Sequence, residues 1–105
     1  MPKWPIIVEF DVLPDKADAF AAMFNREFVS RSRAEKGCEL YELWRNPDDP
    51  TKMTVVERWT TKADHDAHLA APWFQDWSPR MEAMQATPLV IRWMQMTDET
   101  DPGDA

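Results

Sequence analysis

The chain is poor in several residue types whose absence narrows its class. Its 105 residues include a single cysteine, Cys38, and two glycines. A single cysteine cannot form an internal disulfide. Proteins without disulfides are typical of reducing compartments, so we expect a cytoplasmic protein. Basic residues are also scarce, because 12 lysines and arginines face 19 aspartates and glutamates, for a net charge of −7. This balance argues against nucleic-acid and anionic-membrane partners, since both need a basic surface.

Long apolar segments are missing as well. The longest apolar runs, such as 88–91, are far shorter than the roughly 20 residues of a transmembrane helix. Glu9 and Asp11 interrupt the apolar stretch near the N-terminus, so we expect no signal peptide. The chain is nevertheless 44% apolar and has six tryptophans, enough for the core of one folded domain. We predict that this domain covers residues 1–96 and that an acidic tail follows at 97–105.

Hydrophobic periodicity predicts the order strand, helix, strand, strand, broken helix, strand. Apolar and polar residues alternate in the strands, whereas the first helix repeats phenylalanine at every fourth position. The predicted strands are 5–13, 38–45, 52–59 and 87–96; the predicted helical pieces are 15–35, a helix capped by Thr61 that ends near residue 70, and two short pieces that start at Pro72 and Ser78. This order is that of an α+β, ferredoxin-like split βαβ fold with a four-stranded antiparallel sheet.

The predicted strands have large apolar residues on both faces of the sheet. Leu40 and Trp44 alternate with Tyr41 and Leu43 along the second strand. Helices can cover only one face, and the other would be too large an apolar patch for a monomer. We therefore expect a homodimer in which two sheets pack against each other.

The segment 57–77 holds the only side chains whose ordinary pKa lies near neutral pH. His65 and His68 lie on the helix capped by Thr61, and Trp73, Phe74 and Trp77 follow the next proline. A small pocket for acid–base chemistry on a flat apolar ligand needs histidines beside aromatic side chains, and this segment supplies both.

A wider set of residues carries a resemblance to a known family. The segments are Gly37–Leu43, the turn 46–50, Glu57-Arg58-Trp59, Ala67-His68-Leu69-Ala70 and Phe74. Over residues 5 to 96 the chain resembles the antibiotic biosynthesis monooxygenase domain family, whose members include small quinol monooxygenases. The resemblance implies a dimeric α+β barrel of ferredoxin-like subunits, each with its own pocket.

The resemblance also implies a reaction. Family members oxygenate phenols, quinols or anthrones with dioxygen and without metal or flavin, so we expect no cofactor and no metal. The family's histidine falls on His68, which becomes the candidate base or proton shuttle. Glu57 or Tyr41 would orient this histidine or the substrate. The other expected binding residues are Phe24, Trp59, His65, Trp73, Phe74 and Trp77.

Two positions depart from the family pattern. Relatives often have a second histidine just after the proline, where this chain has Trp73, and a leucine where this chain has His65. The asparagine, tryptophan and histidine that the haem-degrading branch uses fall on Glu9, His68 and Ser78, so we do not expect haem cleavage.

Other interpretations of the same residues stay open. An alternative interpretation of His68 is a structural histidine bonded to a backbone carbonyl. The aromatic cluster would then be an ordinary part of the hydrophobic core. Glu57 is also explained as a surface partner of Arg58 or Arg92. Asp64 and the two histidines are neighbours on one helix and are a conceivable metal site, although they lack a further ligand cluster. The alternative functions are a non-catalytic small-molecule-binding dimer and a same-fold isomerase or lyase.

Overall fold

A computed structural model describes residues 2–98 of the chain. Strands β1 (Trp4–Asp11), β2 (Cys38–Arg45), β3 (Lys52–Trp59) and β4 (Val90–Trp93) form one sheet. A 3₁₀ turn (Pro14–Lys16) leads into α1 (Ala17–Met23), a π-helical segment (Phe24–Val29) and α2 (Ser30–Arg33), and helices α3 (Lys62–Ala70) and α4 (Pro72–Glu82) follow β3. Of the predicted tail, residues 99–105 lie outside the described part of the chain.

The sheet has the strand order β2-β3-β1-β4, and every neighbouring pair is antiparallel. This is the ferredoxin-like α+β fold that the sequence predicts, with the helices on one face. Directly paired residues of neighbouring strands point to the same face of a sheet, as do residues two apart on one strand. Ile6 and Tyr41 both pair with Glu57, and Val55 pairs with Val8. Ile6, Val55 and Tyr41 therefore share the helix-covered face. Between residues 2 and 98, no helix is long and apolar enough to cross a membrane.

The first helix buries its phenylalanines as predicted. Phe20, Phe24 and Phe28 are all fully buried, and their rings stack at centroid distances of 5.6 and 4.7 Å. The sequence gives no sign of the π-helical segment from Phe24, which adds a residue to the turn and changes which side chains after Val29 face the sheet.

Two predicted boundaries at the C-terminal end are wrong. Helix α4 continues from Pro72 to Glu82 with Pro79 inside it, so no separate third piece starts at Ser78. Pro79 cannot donate a backbone hydrogen bond, but one missing bond is tolerated in a helix end that packs on the core through Met81. The last strand has four residues, Val90–Trp93, rather than the predicted 87–96. Beyond it, the Met94 amide still donates a hydrogen bond of 3.2 Å to the Pro5 carbonyl of β1.

Candidate functional site

Helix α3 brings both histidines to the interior. Thr61 caps its first turn as predicted, because its Oγ1 accepts a hydrogen bond of 3.1 Å from the Asp64 amide. His65 and His68 are one turn apart and therefore lie on the same side of the helix. This side faces the sheet, so His65 is 5% exposed and His68 is 2% exposed. Their rings stack with centroids 5.9 Å apart.

His68 is held by a side chain that sequence reasoning did not single out. Its Nδ1 lies 2.6 Å from Oε1 of Glu35, in the loop between α2 and β2. The carboxylate is an acceptor, so it selects the tautomer with the proton on Nδ1 and leaves the Nε2 lone pair free. Nε2 has no hydrogen-bond partner among the described residues. The partner of His68 is therefore a carboxylate and not the backbone carbonyl that the structural interpretation assumed.

The loop that presents Glu35 is fixed by a glycine. Gly37 has a φ of +81°, in the left-handed region that favours glycine. A Cβ at this position would collide with the side chain of Asp64. The carbonyl of Gly37 also accepts a hydrogen bond of 2.8 Å from the Thr60 amide. Gly37 thus allows the loop to pack closely against the start of α3.

The histidines line an apolar pocket between the helices and the sheet. Its cavity volume is about 80 Å³. Glu57, Tyr41 and the two histidines supply its titratable groups. The apolar lining comes from β1, β3, β4 and its flank, and the helices: Ile6, Val8, Phe10, Phe24, Phe28, Val55, Leu69, Phe74, Met81, Leu89 and Ile91. Leu69 and Ile91 are 36% and 46% exposed, so the pocket reaches the surface between α3 and β4.

A second carboxyl lies in the wall of this pocket. Glu57, on β3, is 4% exposed. Its Oε1 accepts a hydrogen bond of 2.8 Å from Nε1 of the fully buried Trp59 and lies 3.5 Å from Nε2 of His65. Glu57 is therefore not a surface partner of Arg58 or Arg92, which pair with Glu39 and Glu9 instead.

Burial governs the protonation of these groups. It lowers the pKa of His68, and the hydrogen bond to Glu35 opposes this shift in part. Burial also lowers the pKa of His65 to about 4 and raises the pKa of Glu57 to about 7. Burial raises the pKa of the Tyr41 hydroxyl well above its ordinary value. At neutral pH both histidines are therefore neutral, and Glu57 exists in both protonation states.

The remaining residues of the predicted site lie at different distances from the pocket. Phe24, Tyr41 and Phe74 line it, and the Trp59 ring packs on His68 with centroids 4.7 Å apart. Trp73 lies behind His68 and directs its Nε1 at Glu35 Oε2, at 3.4 Å. Trp77 is outside the lining, under the guanidinium of Arg80.

Asp64 does not join the histidines. Its carboxylate accepts a hydrogen bond of 3.0 Å from the Thr61 hydroxyl at the start of α3. Across residues 2–98, no group of three or more histidine, cysteine, aspartate or glutamate side chains is arranged to hold a metal ion. The sequence-based option of a metal site at Asp64 therefore has no support in the arrangement of these side chains.

Sequence reasoning missed Glu35, Leu89 and Ile91. Glu35 lies 33 positions from His68, and its loop has no motif that signals a long-range contact. The sequence predicts that Leu89 and Ile91 belong to the last strand but not that they line the pocket. The alternation of β4 indicates only that Ile91 and Trp93 lie on the same face of the sheet. Ile91 lies in the pocket wall because it pairs with Val8 of β1, which also lines the pocket, and this tertiary pairing is not visible in the sequence.

The fold and this site define a class: small ferredoxin-like α+β proteins with an apolar pocket and buried acid–base side chains beneath the helices. The family model for antibiotic biosynthesis monooxygenase matches residues 6–80. The chain belongs to this family.

Individual relatives agree over nearly the full length. The Mycobacterium tuberculosis protein named "Putative monooxygenase Rv0793" is 23% identical over 94 residues, which cover 90% of this chain and 91% of the relative. A solved Nitrosomonas europaea protein of the same family description has a TM-score of 0.86 at 23% identity and 94% coverage of both chains. PA3566 from Pseudomonas aeruginosa has a TM-score of 0.83 at 24% identity, with 93% and 97% covered. At these identities the solved structures support the fold alone.

Proposed function

We propose that this protein is a cofactor-independent monooxygenase that oxidises a small electron-rich aromatic compound, of the phenol, quinol or anthrone type, with dioxygen. The observation that carries the proposal is the buried His68, whose Nδ1 is bonded to Glu35 at 2.6 Å and whose ring lines an apolar pocket. Membership of the monooxygenase family supports the reaction type.

The proposed first step is a proton transfer. Nε2 of His68 takes the hydroxyl proton of the bound substrate, and Glu35 stabilises the imidazolium that results. The substrate anion is electron-rich enough to pass one electron to dioxygen, which gives a substrate radical and superoxide. The two combine to form a carbon–oxygen bond, and loss of water leaves the quinone. The pocket contributes orientation and excludes water from the charged intermediates.

The cavity limits the size of the substrate. A dry cavity of about 150 Å³ is known to bind benzene, and the volume here is about 80 Å³. A one-ring substrate therefore fits only if side chains at the mouth move. Leu69 and Ile91 are the exposed lining residues and have free space on one side. We expect Ile91→Ala to favour larger aromatic substrates over one-ring compounds.

We also propose a homodimer formed sheet to sheet. The face of the sheet away from the helices exposes Trp44 by 55% and Val90 by 46%. Val56 and Ile7 pair between them in the middle of this face. A second sheet would cover these side chains and leave the pocket, on the opposite face, accessible. Light scattering after size-exclusion chromatography tests this, and a mass of one chain would contradict it; Val56→Lys should produce that monomer.

Oxygen consumption with a panel of phenols, hydroquinones and anthrones tests the function. We expect His68→Ala to lower the rate by about 10²-fold or more, the usual contribution of a general base. Asp66→Asn is the matched control, because Asp66 is exposed on the same helix and pairs with Lys62 at 2.8 Å. If His68→Ala consumes oxygen at the wild-type rate, His68 is not the base.

Two other outcomes would point to the alternative functions. Exchange of a substrate proton with solvent, without oxygen consumption, would indicate an isomerase or lyase; the presence of Glu57 and two histidines in one pocket favours this as the second candidate. Tight binding of an aromatic compound without any turnover would indicate a binding protein that kept the fold and lost the reaction.

A further inference from the structure

The proposed reaction leaves one proton transfer without a donor. His68 holds the proton removed from the substrate, while the oxygen that has bonded to carbon carries a negative charge. This peroxide anion must be protonated before its O–O bond can break. A donor for this step has to lie in the same pocket and be protonated near neutral pH.

Glu57 meets these requirements by geometry. It lines the pocket and is 4% exposed. The indole of Trp59 donates to Oε1, so Oε1 is the carbonyl oxygen of the protonated acid and Oε2 carries the proton. Among the described residues, Oε2 has no hydrogen-bond partner. The proton is therefore free to point at a molecule in the pocket.

Structure alone does not require a carboxyl at this position. The contact with Trp59 Nε1 needs only an acceptor, which the amide of glutamine would supply without the cost of burying an ionisable group. An ionisable side chain in a pocket wall, beyond what packing needs, is typical of functional sites.

We propose that Glu57 is a second catalytic residue, the general acid that protonates the distal oxygen of the substrate peroxide, and that His65 positions it. This proposal rests on the monooxygenase function proposed above. After the carbon–oxygen bond forms, the proton of Oε2 passes to the distal oxygen and gives a hydroperoxide. The ionised Glu57 then takes the ring C–H proton, that electron pair forms the carbonyl, and the O–O bond breaks. Hydroxide leaves and takes the proton from His68, so one phenol and one dioxygen give one quinone and one water.

Four titratable groups face Glu57, and their charges would affect the pH at which Glu57 loses its proton. His65 and His68 face it from α3, and both are neutral at pH 7. Tyr41 and Cys38 face it from β2, and burial raises the pKa of both, that of Cys38 to about 11. All four groups are therefore uncharged near neutral pH, and the change of charge in this range belongs to Glu57.

The yield of quinone per dioxygen tests the proposal, measured with an oxygen electrode, quinone absorbance and a peroxidase-coupled assay for hydrogen peroxide. Glu57→Gln keeps the acceptor for Trp59 but cannot donate a carboxyl proton. We expect it to consume oxygen still, while quinone formation falls by about 10²-fold or more. The unprotonated peroxide reverts to the radical pair, superoxide escapes, and hydrogen peroxide accumulates. Asp66→Asn should keep the wild-type yield.

The pH profile supplies an independent readout. The wild-type quinone yield should fall as the pH rises through about 7, where Glu57 loses its proton, and the yield of Glu57→Gln should not change there. His65→Leu removes a polar neighbour of the carboxylate and should move this midpoint to higher pH. If Glu57→Gln fails to fold, the wild-type profile decides: a yield that is constant across this range overturns the proposal.

The outcomes separate the two proposals. If wild type consumes oxygen and Glu57→Gln gives the wild-type yield of quinone, Glu57 is not the acid, and the monooxygenase function stands. If wild type consumes no oxygen with any phenol, quinol or anthrone, both proposals are wrong.

Discussion

The hydrogen bond between Glu35 and His68 allows a sharp test of how the site works. Glu35→Gln changes one oxygen to an amide nitrogen and keeps the shape of the side chain. The amide oxygen can still accept from Nδ1, so the tautomer should be preserved, and only the longer contact of Trp73 Nε1, at 3.4 Å, loses its acceptor. The variant removes the negative charge that lies 2.6 Å from the imidazole. It therefore separates the electrostatic effect of Glu35 from its effect on position.

The size of the effect follows from the geometry. A hydrogen bond to a charged group contributes roughly 1.5–3 kcal/mol, against about 0.5–1.5 kcal/mol for a bond between neutral groups. Glu35 is partly exposed, with 22% of its side chain accessible, so solvent reduces its effect. We therefore expect the variant to stabilise the imidazolium by about 1.4 kcal/mol less, which is a factor of about 10. The kcat of Glu35→Gln should therefore be about 10-fold lower than that of wild type at neutral pH.

The pH profile distinguishes this role from a structural one. The base works only when His68 is neutral, so kcat rises with pH through the pKa of His68 and then levels off. Without the charge of Glu35, this pKa is lower, and the rising limb should move to lower pH. Oxygen consumption at saturating substrate measures both quantities.

A double variant and a control complete the test. In a His68→Ala background, Glu35→Gln should have no further effect, because Glu35 acts only through the histidine. Asp66→Asn should leave the acidic limb where it is in wild type. The reasoning is refuted if Glu35→Gln has the wild-type kcat and an unmoved acidic limb.

Three further predictions concern stability. The pKa of Glu57 is near 4.5 in the unfolded chain and about 7 in the folded protein. Between these values the native state binds more protons than the unfolded state, so the stability of wild type falls as the pH rises. In urea unfolding, Glu57→Gln should match wild type below about pH 4.5 and exceed it by up to about 3 kcal/mol above pH 7. Gly37→Ala should lose about 2–4 kcal/mol, because of its positive φ and the collision with Asp64, as thermal unfolding would show. Phe28→Ala, at a fully buried ring, should cost about 3–5 kcal/mol in the same measurement; losses under 1 kcal/mol for either would contradict the packing described.

Local patterns were enough to predict most of the fold. The alternation of apolar residues in β1, β2 and β3 and the proline-rich turn at 46–50 define the strands and the hairpin within one or two residues. The π-helical segment and the passage of α4 through Pro79 were not predicted. Both depend on packing of the finished fold, which decides whether an irregular hydrogen bond is tolerated at a given turn.

The site was predictable only in part, because its decisive contacts join distant segments. The spacing of His65 and His68 puts them on one side of a helix whatever surrounds it. The partner of each histidine depends instead on tertiary structure. Glu57 comes from β3 and Glu35 from a loop that precedes β2. The resemblance to the family singled out Glu57, whereas no local pattern distinguishes Glu35 from the other glutamates in the chain.

The two departures from the family pattern are explained by these carboxyl groups. Trp73, where relatives often have histidine, directs its Nε1 at Oε2 of Glu35, while His68 is bonded to Oε1 of the same group. An indole N–H keeps its proton at any ordinary pH, so it orients Glu35 without competing for the proton of His68. A histidine in this place would add a second titrating group beside the base. The extra histidine of this chain, His65, lies instead beside Glu57. Each histidine therefore has a carboxyl group of its own. In the reaction proposed above, this separation would allow one pair to accept a proton while the other donates one.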